Sequence, residues 1–396
     1  MKTTIPYLLI SYLIYYLSSI STLYGQTDPI NVPYNIDIKK NIRNIKTVNL
    51  SSIGKDLLYI PLETTPECLI NEIDDIEFSD SYIFVNERKR LLQFAKNGKF
   101  IRQIGSQGRG PEEYLDVMDF CINNQTQEIY ILSFYQNLVF GFDGRFKSSF
   151  KLSIRPSQII IKDQNSLMFH SPNVPGPKIA NPYSWIITDK QGNTKQTFKN
   201  HLMRVSQPGI IIMESPLYMF NNIAHFLEFG IDTLYYFYDT QKKPYAIFNL
   251  DNLKMDPDPH ITAATKEKVG EKLFDKLWIN SIYENNDFLF IKFFRGITDS
   301  AMCALYNKKT ADIAILKDNA FKNDLDGGRM FWPKQIINDN ILLDYVDGFD
   351  LLKSIKKMQS EGSKEKDRGL STQLSKLGKQ LTETSNPVLI IVNLNK

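Results

Sequence analysis

From about residue 57 the chain alternates short apolar runs with polar turns, and the runs recur at a fixed interval. Ile83-Phe84-Val85, Leu91-Leu92-Gln93-Phe94, Asn97-Gly98 and Phe100 to Ile104 form one unit. A shift of 46 positions carries Ile83 onto Ile129, Phe94 onto Phe140, Asn97-Gly98 onto Asp143-Gly144 and Phe100 onto Phe146. Asn-Gly and Asp-Gly supply the positive φ angles of a type I′ hairpin, so each pair predicts a tight hairpin between two strands. A third copy follows 48 residues on, with Trp185-Ile186-Ile187, Gln191-Gly192 in the turn and Phe198 on the return. Degraded copies run through 226–250, 288–316 and 335–343. Each unit offers three or four strands too small to bury their own apolar face, which is the pattern of a propeller blade.

Strand-like runs also stand at both ends, Leu57 to Leu62 and Val388 to Leu394. A ring of blades must join its first and last members to remove open edges, so the two runs are predicted to share one blade. Dividing roughly 350 residues by the repeat and setting aside helical inserts leaves about six blades. Two segments break the β pattern. Val269, Leu273, Phe274 and Leu277 predict an amphipathic helix over 265–277; Leu370, Leu374, Leu377 and Leu381 place a second helical insert within 349–382. The fold class is therefore all-β: a six-bladed propeller of four-stranded antiparallel blades over residues 47–396.

The first 25 residues differ from the rest. Lys2 is their only charge, an apolar Ile5 to Leu23 follows, and Gly25 precedes a polar stretch, the layout of a secretory signal cleaved before Gln26. The alternative is an uncleaved anchor, since about 19 apolar residues approach the ~20 that span a bilayer. Residues 26–46, with Pro29 and Pro33, read as a linker or an outer strand.

Composition narrows the function. The 396 residues are 42% hydrophobic, and 47 Lys and Arg face 44 Asp and Glu, a formal charge of +3, or +2 once Lys2 is removed. That lacks the basic footprint needed for nucleic acid. Three scattered cysteines, Cys68, Cys121 and Cys303, make neither a disulfide framework nor a metal knuckle. The four histidines have no ligand-spaced partner, so no metal and no cofactor is expected. No Gly-x-Ser-x-Gly elbow occurs.

Several stretches resemble the six-bladed propellers exported by gut and oral Bacteroidetes, a family related in pattern to the NHL-repeat propellers. They are Ile60-Pro61-Leu62-Glu63-Thr64, Phe100 to Gly105, Gly108-Arg109-Gly110-Pro111-Glu112-Glu113-Tyr114, Asn323 to Gly328 with Phe331 and Pro333, and Asn386-Pro387-Val388-Leu389. The resemblance implies a six-bladed fold and export to the periplasm or cell surface, and no general activity. Members often end their signal in a lipobox cysteine; this chain does not, which sets direct lipid tethering aside.

The loop Gly105 to Pro111 is expected to link the outer strand of one blade to the inner strand of the next, on the face around the central channel. It would offer Gln107 and Arg109 to a ligand, with Glu112 and Tyr114 beside them; the guanidinium is a planar fork suited to carboxylate or phosphate. The alternative is a tight crossover in which Arg109 pairs with Glu112 or Glu113. Asp324 and Asp326, beside Gly327-Gly328, are a second candidate pair. The EF-hand pattern fails there, with Lys322 and Pro333 at its first and last ligand positions, and a turn closed by Asp side chains fits better. Paired carboxylates such as Asp116 and Asp119 would suit a glycosidase. The leading expectation is a monomeric, non-catalytic envelope propeller that binds a glycan, a peptide or an envelope protein. The competing one is a polysaccharide hydrolase or lyase.

Overall fold

The computed structural model describes residues 32–134, 136–171, 182–199, 216–228, 230–238, 241–254, 276–296, 301–361 and 371–395. Six small sheets stand in a ring. Blade 1 runs Asp75–Phe78, Tyr82–Asn86, Leu91–Ala95 and Phe100–Ile104 from the channel outward. Blades 2 and 3 repeat it from Asp119–Asn123 to Phe146–Lys151 and from Gln158–Asp163 to Thr194–Lys199. Blade 4 runs from Leu217–Phe220 to Gln241–Phe248 and blade 5 from Leu277–Glu284 to Ile313–Leu316. Blade 6 takes Gln335–Ile337, Ile341–Val346 and Val388–Leu394 from the C-terminal end and Gly54–Pro61 from the N-terminal end. Val388 lies opposite Pro61 and Asn393 opposite Asp56, so the ring closes as the terminal runs predict.

The middle strands are continuous apolar runs because each blade is covered on both faces by its neighbours. Ile83 and Val85 pack toward blade 6 against Leu343 and Leu389. Phe84 and Leu91 pack the other way, against Ile129 and Phe140 of blade 2. Each such large side chain, removed from water, contributes roughly 1.5–3 kcal/mol. The outer strands have one covered face and alternate instead, as in Thr194–Lys199.

The hairpin glycines sit where the sequence places them, but the turns are of another type. Gly98, Gly144 and Gly192 take φ of +83°, +83° and +87°, while the residue before each keeps an ordinary φ. A type I′ turn needs two positive φ values. Here Gly98 N–H donates to Ala95 O at 2.9 Å and Ala95 N–H to Lys99 O at 2.8 Å, with a bulge between Gln93 and Phe94. This is a type I turn with a glycine bulge, and the other two hairpins show the same register shift. Each hairpin lies against the end of the preceding outer strand: a Cβ on Gly98 would stand 2.2 Å from Pro61 O.

Part of the stretch read as linker or outer strand forms edge strands. Tyr34–Ile36 adds in parallel to the outer edge of blade 4 and Ile45–Lys46 to that of blade 5, before the chain enters blade 6. Residues 34–61 thus cross three consecutive blades on the outside. Helices Gly348–Glu361 and Thr372–Gln380 fill the insert expected at 349–382, with Leu374, Leu377 and Leu381 buried on blade 6. Oriented to satisfy both partners, the Gln373 amide donates to Leu57 O (3.3 Å) and accepts from Tyr59 N–H (3.2 Å), covering the free edge of Gly54–Pro61. Of the helix expected at 265–277, residues 265–275 lie outside the described residues, and Leu277 instead opens a strand. The signal segment also lies outside them. Among the described residues no helix is long and apolar enough to cross a membrane.

Candidate functional site

In a ring of four-stranded blades the outer-to-inner crossovers and the turns between second and third strands gather at one end of the channel. On blades 6, 1 and 2 this end consists of crossovers 62–74 and 105–118 with the turn 87–90 between them. The turn is fastened to both. Arg90 donates to Glu67 O (3.0 Å) and Leu69 O (2.5 Å) and pairs with Glu87, while Val117 N–H donates to Arg88 O at 2.6 Å and the Asn86 amide to Val117 O at 3.1 Å.

The crossover 105–118 is itself tightly built. Ser106–Gln107 pairs in parallel with Glu113–Tyr114, Gly108 N–H donates to Tyr114 O at 3.0 Å, and Glu113 accepts from Gly110 N–H at 2.7 Å. Gly108 allows this, because a Cβ there would lie 1.9 Å from the Glu113 carboxylate. Glu113 therefore closes the loop rather than pairing with Arg109. Arg109 is exposed, and neither it nor the exposed Glu112 has a hydrogen bond or ion pair among the described residues. The Gln107 amide donates to Leu115 O at 3.0 Å. Tyr114 has a different role from the one expected: it is 1% exposed, donates to Ile104 O at 2.9 Å, and belongs to the core between blades 1 and 2.

Asp324 and Asp326 lie on the crossover from blade 5 to blade 6 and act as turn and tether. Asp324 accepts from Ser51 N–H (2.9 Å) and Ser51 Oγ–H (2.6 Å), fixing the N-terminal segment. Asp326 Oδ1 accepts from Gly328 N–H at 2.9 Å and from the Asn323 amide at 2.7 Å. Both engage their own crossover or the segment beside it.

Below this face the innermost strands bring Asp75, Glu77 and Asp119 to the channel. Burial, then the charge of Asp75, pushes Glu77 up to about 8. Asp119 is also pushed well up, by burial first and by Asp75 next, although it accepts from Ile159 N–H (2.7 Å) and Phe120 N–H (2.9 Å). Among the described residues no three Asp, Glu, His or Cys side chains lie close enough to hold a metal ion. The three cysteines are free and buried.

Sequence reasoning passed over two exposed leucines on this face, Leu69 and Leu115, each 45% exposed. A leucine beside Cys68 or Tyr114 reads as core, and no local signal marks it as outward. It also passed over Arg88 and Lys89, exposed on the turn.

No curated protein matches the chain. Among solved structures, one similar to it is a Bacteroides fragilis protein described as exported, 19% identical, with a TM-score of 0.69, covering 92% of this chain and 99% of that one. Another is a Bacteroides vulgatus member of the DUF4221 family, 10% identical, with a TM-score of 0.50 and coverage of 86% and 97%. Both share the ring of blades. A family described as a domain of unknown function, DUF4934, matches residues 33–393, all six blades and the outer N-terminal strands included, and the chain belongs to that family.

Proposed function

We propose that this is a non-catalytic ligand- or protein-binding propeller of the bacterial cell envelope, which holds its partner on the face formed by crossovers 62–74 and 105–118. The observation that carries the reading is the state of Arg109. The loop beneath it is closed by Glu113 and the glycine backbone, yet the guanidinium at its tip has no partner among the described residues. A closed loop presenting a free guanidinium favours binding because the backbone has little freedom left to lose and the donor gives up no existing bond on contact. Export to the periplasm or cell surface accords with the signal-like N-terminal stretch and with the B. fragilis protein described as exported. A polysaccharide hydrolase or lyase is less well supported. Such chemistry needs carboxylates free to reach substrate, and both Asp119 oxygens accept backbone N–H groups.

The test is binding of the full chain and of Arg109→Ala to glycan and peptide arrays. A bound ligand that loses about tenfold or more on Arg109→Ala supports the reading. Ligands retained at full strength would remove the loop from it.

A further inference from the structure

The charge around Arg109 points the opposite way from Arg109 itself. Residues 66–76, 87–90 and 105–118, which build the face, carry eight acidic and four basic side chains, a net of −4 on a chain whose total is +3, with the buried, protonated Glu77 and Asp119 left out. The sign does not come from a single cluster; it is spread over two crossovers and the start of the blade 1 inner strand at Asp75. One ion pair neutralises charge within the patch, Arg90 with Glu87, whereas Glu113 meets only the uncharged Gly110 N–H and keeps its charge. Glu67, Glu72, Asp74 and Glu112 are exposed. A carboxylate-bearing ligand approaching Arg109 would therefore meet one fork and a surrounding field that repels it.

Leu69 and Leu115 stand in this acidic surface, one on each crossover, and the turn 87–90 joins the two. Arg90 holds the carbonyl of Leu69, and Gln107 holds that of Leu115, so the backbone under each side chain is fixed. Isolated exposed leucines need no explanation. Two on clamped backbones, flanked by excess charge of one sign, make a surface with apolar anchors and a polar rim.

We infer that this face receives a basic polypeptide segment whose lysines or arginines alternate with apolar side chains, the apolar ones seating on Leu69 and Leu115. This deepens the binding function proposed above and rests on it. Arg109 then belongs to the rim, donating to backbone carbonyls of the segment rather than to a carboxylate.

The probe is a labelled nonapeptide of Lys and Leu, Lys-Leu-Lys-Lys-Leu-Lys-Lys-Leu-Lys, titrated with the full chain by fluorescence anisotropy at low and physiological salt. Its Glu/Leu and all-Lys counterparts are run beside it. The Lys/Leu peptide is expected to bind at least tenfold more tightly than either, and to weaken with salt. Affinity should fall at least tenfold in Glu67→Gln/Glu72→Gln/Glu112→Gln and at least fivefold in Leu69→Ser/Leu115→Ser. It should stay within twofold in Asp80→Asn/Asp312→Asn, which removes exposed charge from hairpin turns at the opposite end of the blades. All five substitution sites of the first two variants are exposed, and unchanged melting curves would show that they fold. Equal binding of the Glu/Leu peptide, no binding of the Lys/Leu peptide, or full affinity in the triple glutamine variant would overturn the inference. Array ligands that still depend on Arg109 in that event would leave the binding function standing with a different partner. An array without such ligands, together with a failed peptide, would remove both.

Discussion

Replacing Lys308 by methionine tests how blades 4 and 5 are held together. Glu284 ends the innermost strand of blade 5, and its side chain is wholly buried. It pairs with Lys308, whose side chain is 6% exposed, and accepts from Tyr218 Oη–H at 2.6 Å and from Tyr245 Oη–H, both on blade 4. Lys308 also donates to Asn285 O at 2.6 Å and lies over the Phe220 ring at 4.1 Å. Burial depresses the Lys308 pKa more than the Glu284 charge raises it. The pair as a whole is therefore no large source of stability, but each half is needed once the other is buried.

Methionine keeps the stem and its contact with Phe220 but leaves the Glu284 charge with only the two phenols. The expected loss is about 3–5 kcal/mol. At ~2.1 cal/mol/K of unfolding entropy per residue over the roughly 300 described residues, that lowers Tm by about 5–8 °C. Glu284→Gln in the Lys308→Met background removes the stranded charge, so the double variant should return to within about 1–2 kcal/mol of the parent. Urea and thermal unfolding of the parent, both single variants and the double variant give the coupling directly. Additive losses, or a Lys308→Met loss below about 1 kcal/mol, would refute the reasoning that desolvation rather than attraction governs this site.

Three further outcomes are expected. Burial drives the His170 pKa down to about 3, below its ordinary 6.5, so the unfolded chain takes up the proton first; stability should fall by up to about 1.4 kcal/mol per pH unit below 6.5. Urea titrations at pH 7, 5.5 and 4.5 should show a shallower fall in His170→Phe, which keeps a ring against Trp185, 4.2 Å away and tilted by 30° in the parent. Glu77 is shifted up to about 8, so the folded chain holds a proton that the unfolded chain releases near 4.5, and stability falls as pH rises between those values. Glu77→Gln should gain about 1–2 kcal/mol over the parent between pH 5 and 8.5, and an unchanged difference would show that the carboxyl is solvated. Gln373→Ala uncovers the edge of Gly54–Pro61: hydrogen exchange at the Tyr59 amide should quicken by about tenfold, while amides in blade 2 keep their rates.

What the sequence made legible is what local chemistry determines. Gly98, Gly144 and Gly192 declare their hairpins because the turn itself needs a positive φ, and Val388 to Leu394 declares a strand by composition. The turn type was misread because Asn-Gly serves both families of hairpin, and what decides between them is the backbone bonding, with Gly98 and Lys99 both standing opposite Ala95. Asp326 reads correctly as a turn closer since its partner is two residues away. Tyr114 does not read as core, because an aromatic on a strand has the same local pattern whether it faces solvent or a neighbouring blade. Glu284 and Lys308 could not be paired from sequence: 24 residues separate them, and the phenols that complete the site come from another blade. The strands Tyr34–Ile36 and Ile45–Lys46 are too short to carry a period.

Those short strands bear on where binding occurs. The N-terminal segment adds edge pairing to blades 4 and 5, supplies the outer strand of blade 6, and is fixed through Ser51 to Asp324, so one half of the ring is tied together on its outside by a single stretch of chain. Among the described residues, blades 1 and 2 receive no such strand. They are held by interblade packing and by the crossovers at the channel end: Tyr114 reaching back to Ile104 and Leu91, Val117 to Arg88, and Arg90 to Leu69. The loops that present Leu69, Arg109 and Leu115 are thus the same loops that fasten these blades to one another. A structural crossover must keep its backbone hydrogen bonds but leaves its outward side chains free. This is why the glycines and Glu113 are fixed by the fold, whereas Arg109 and the two leucines are free to meet a partner.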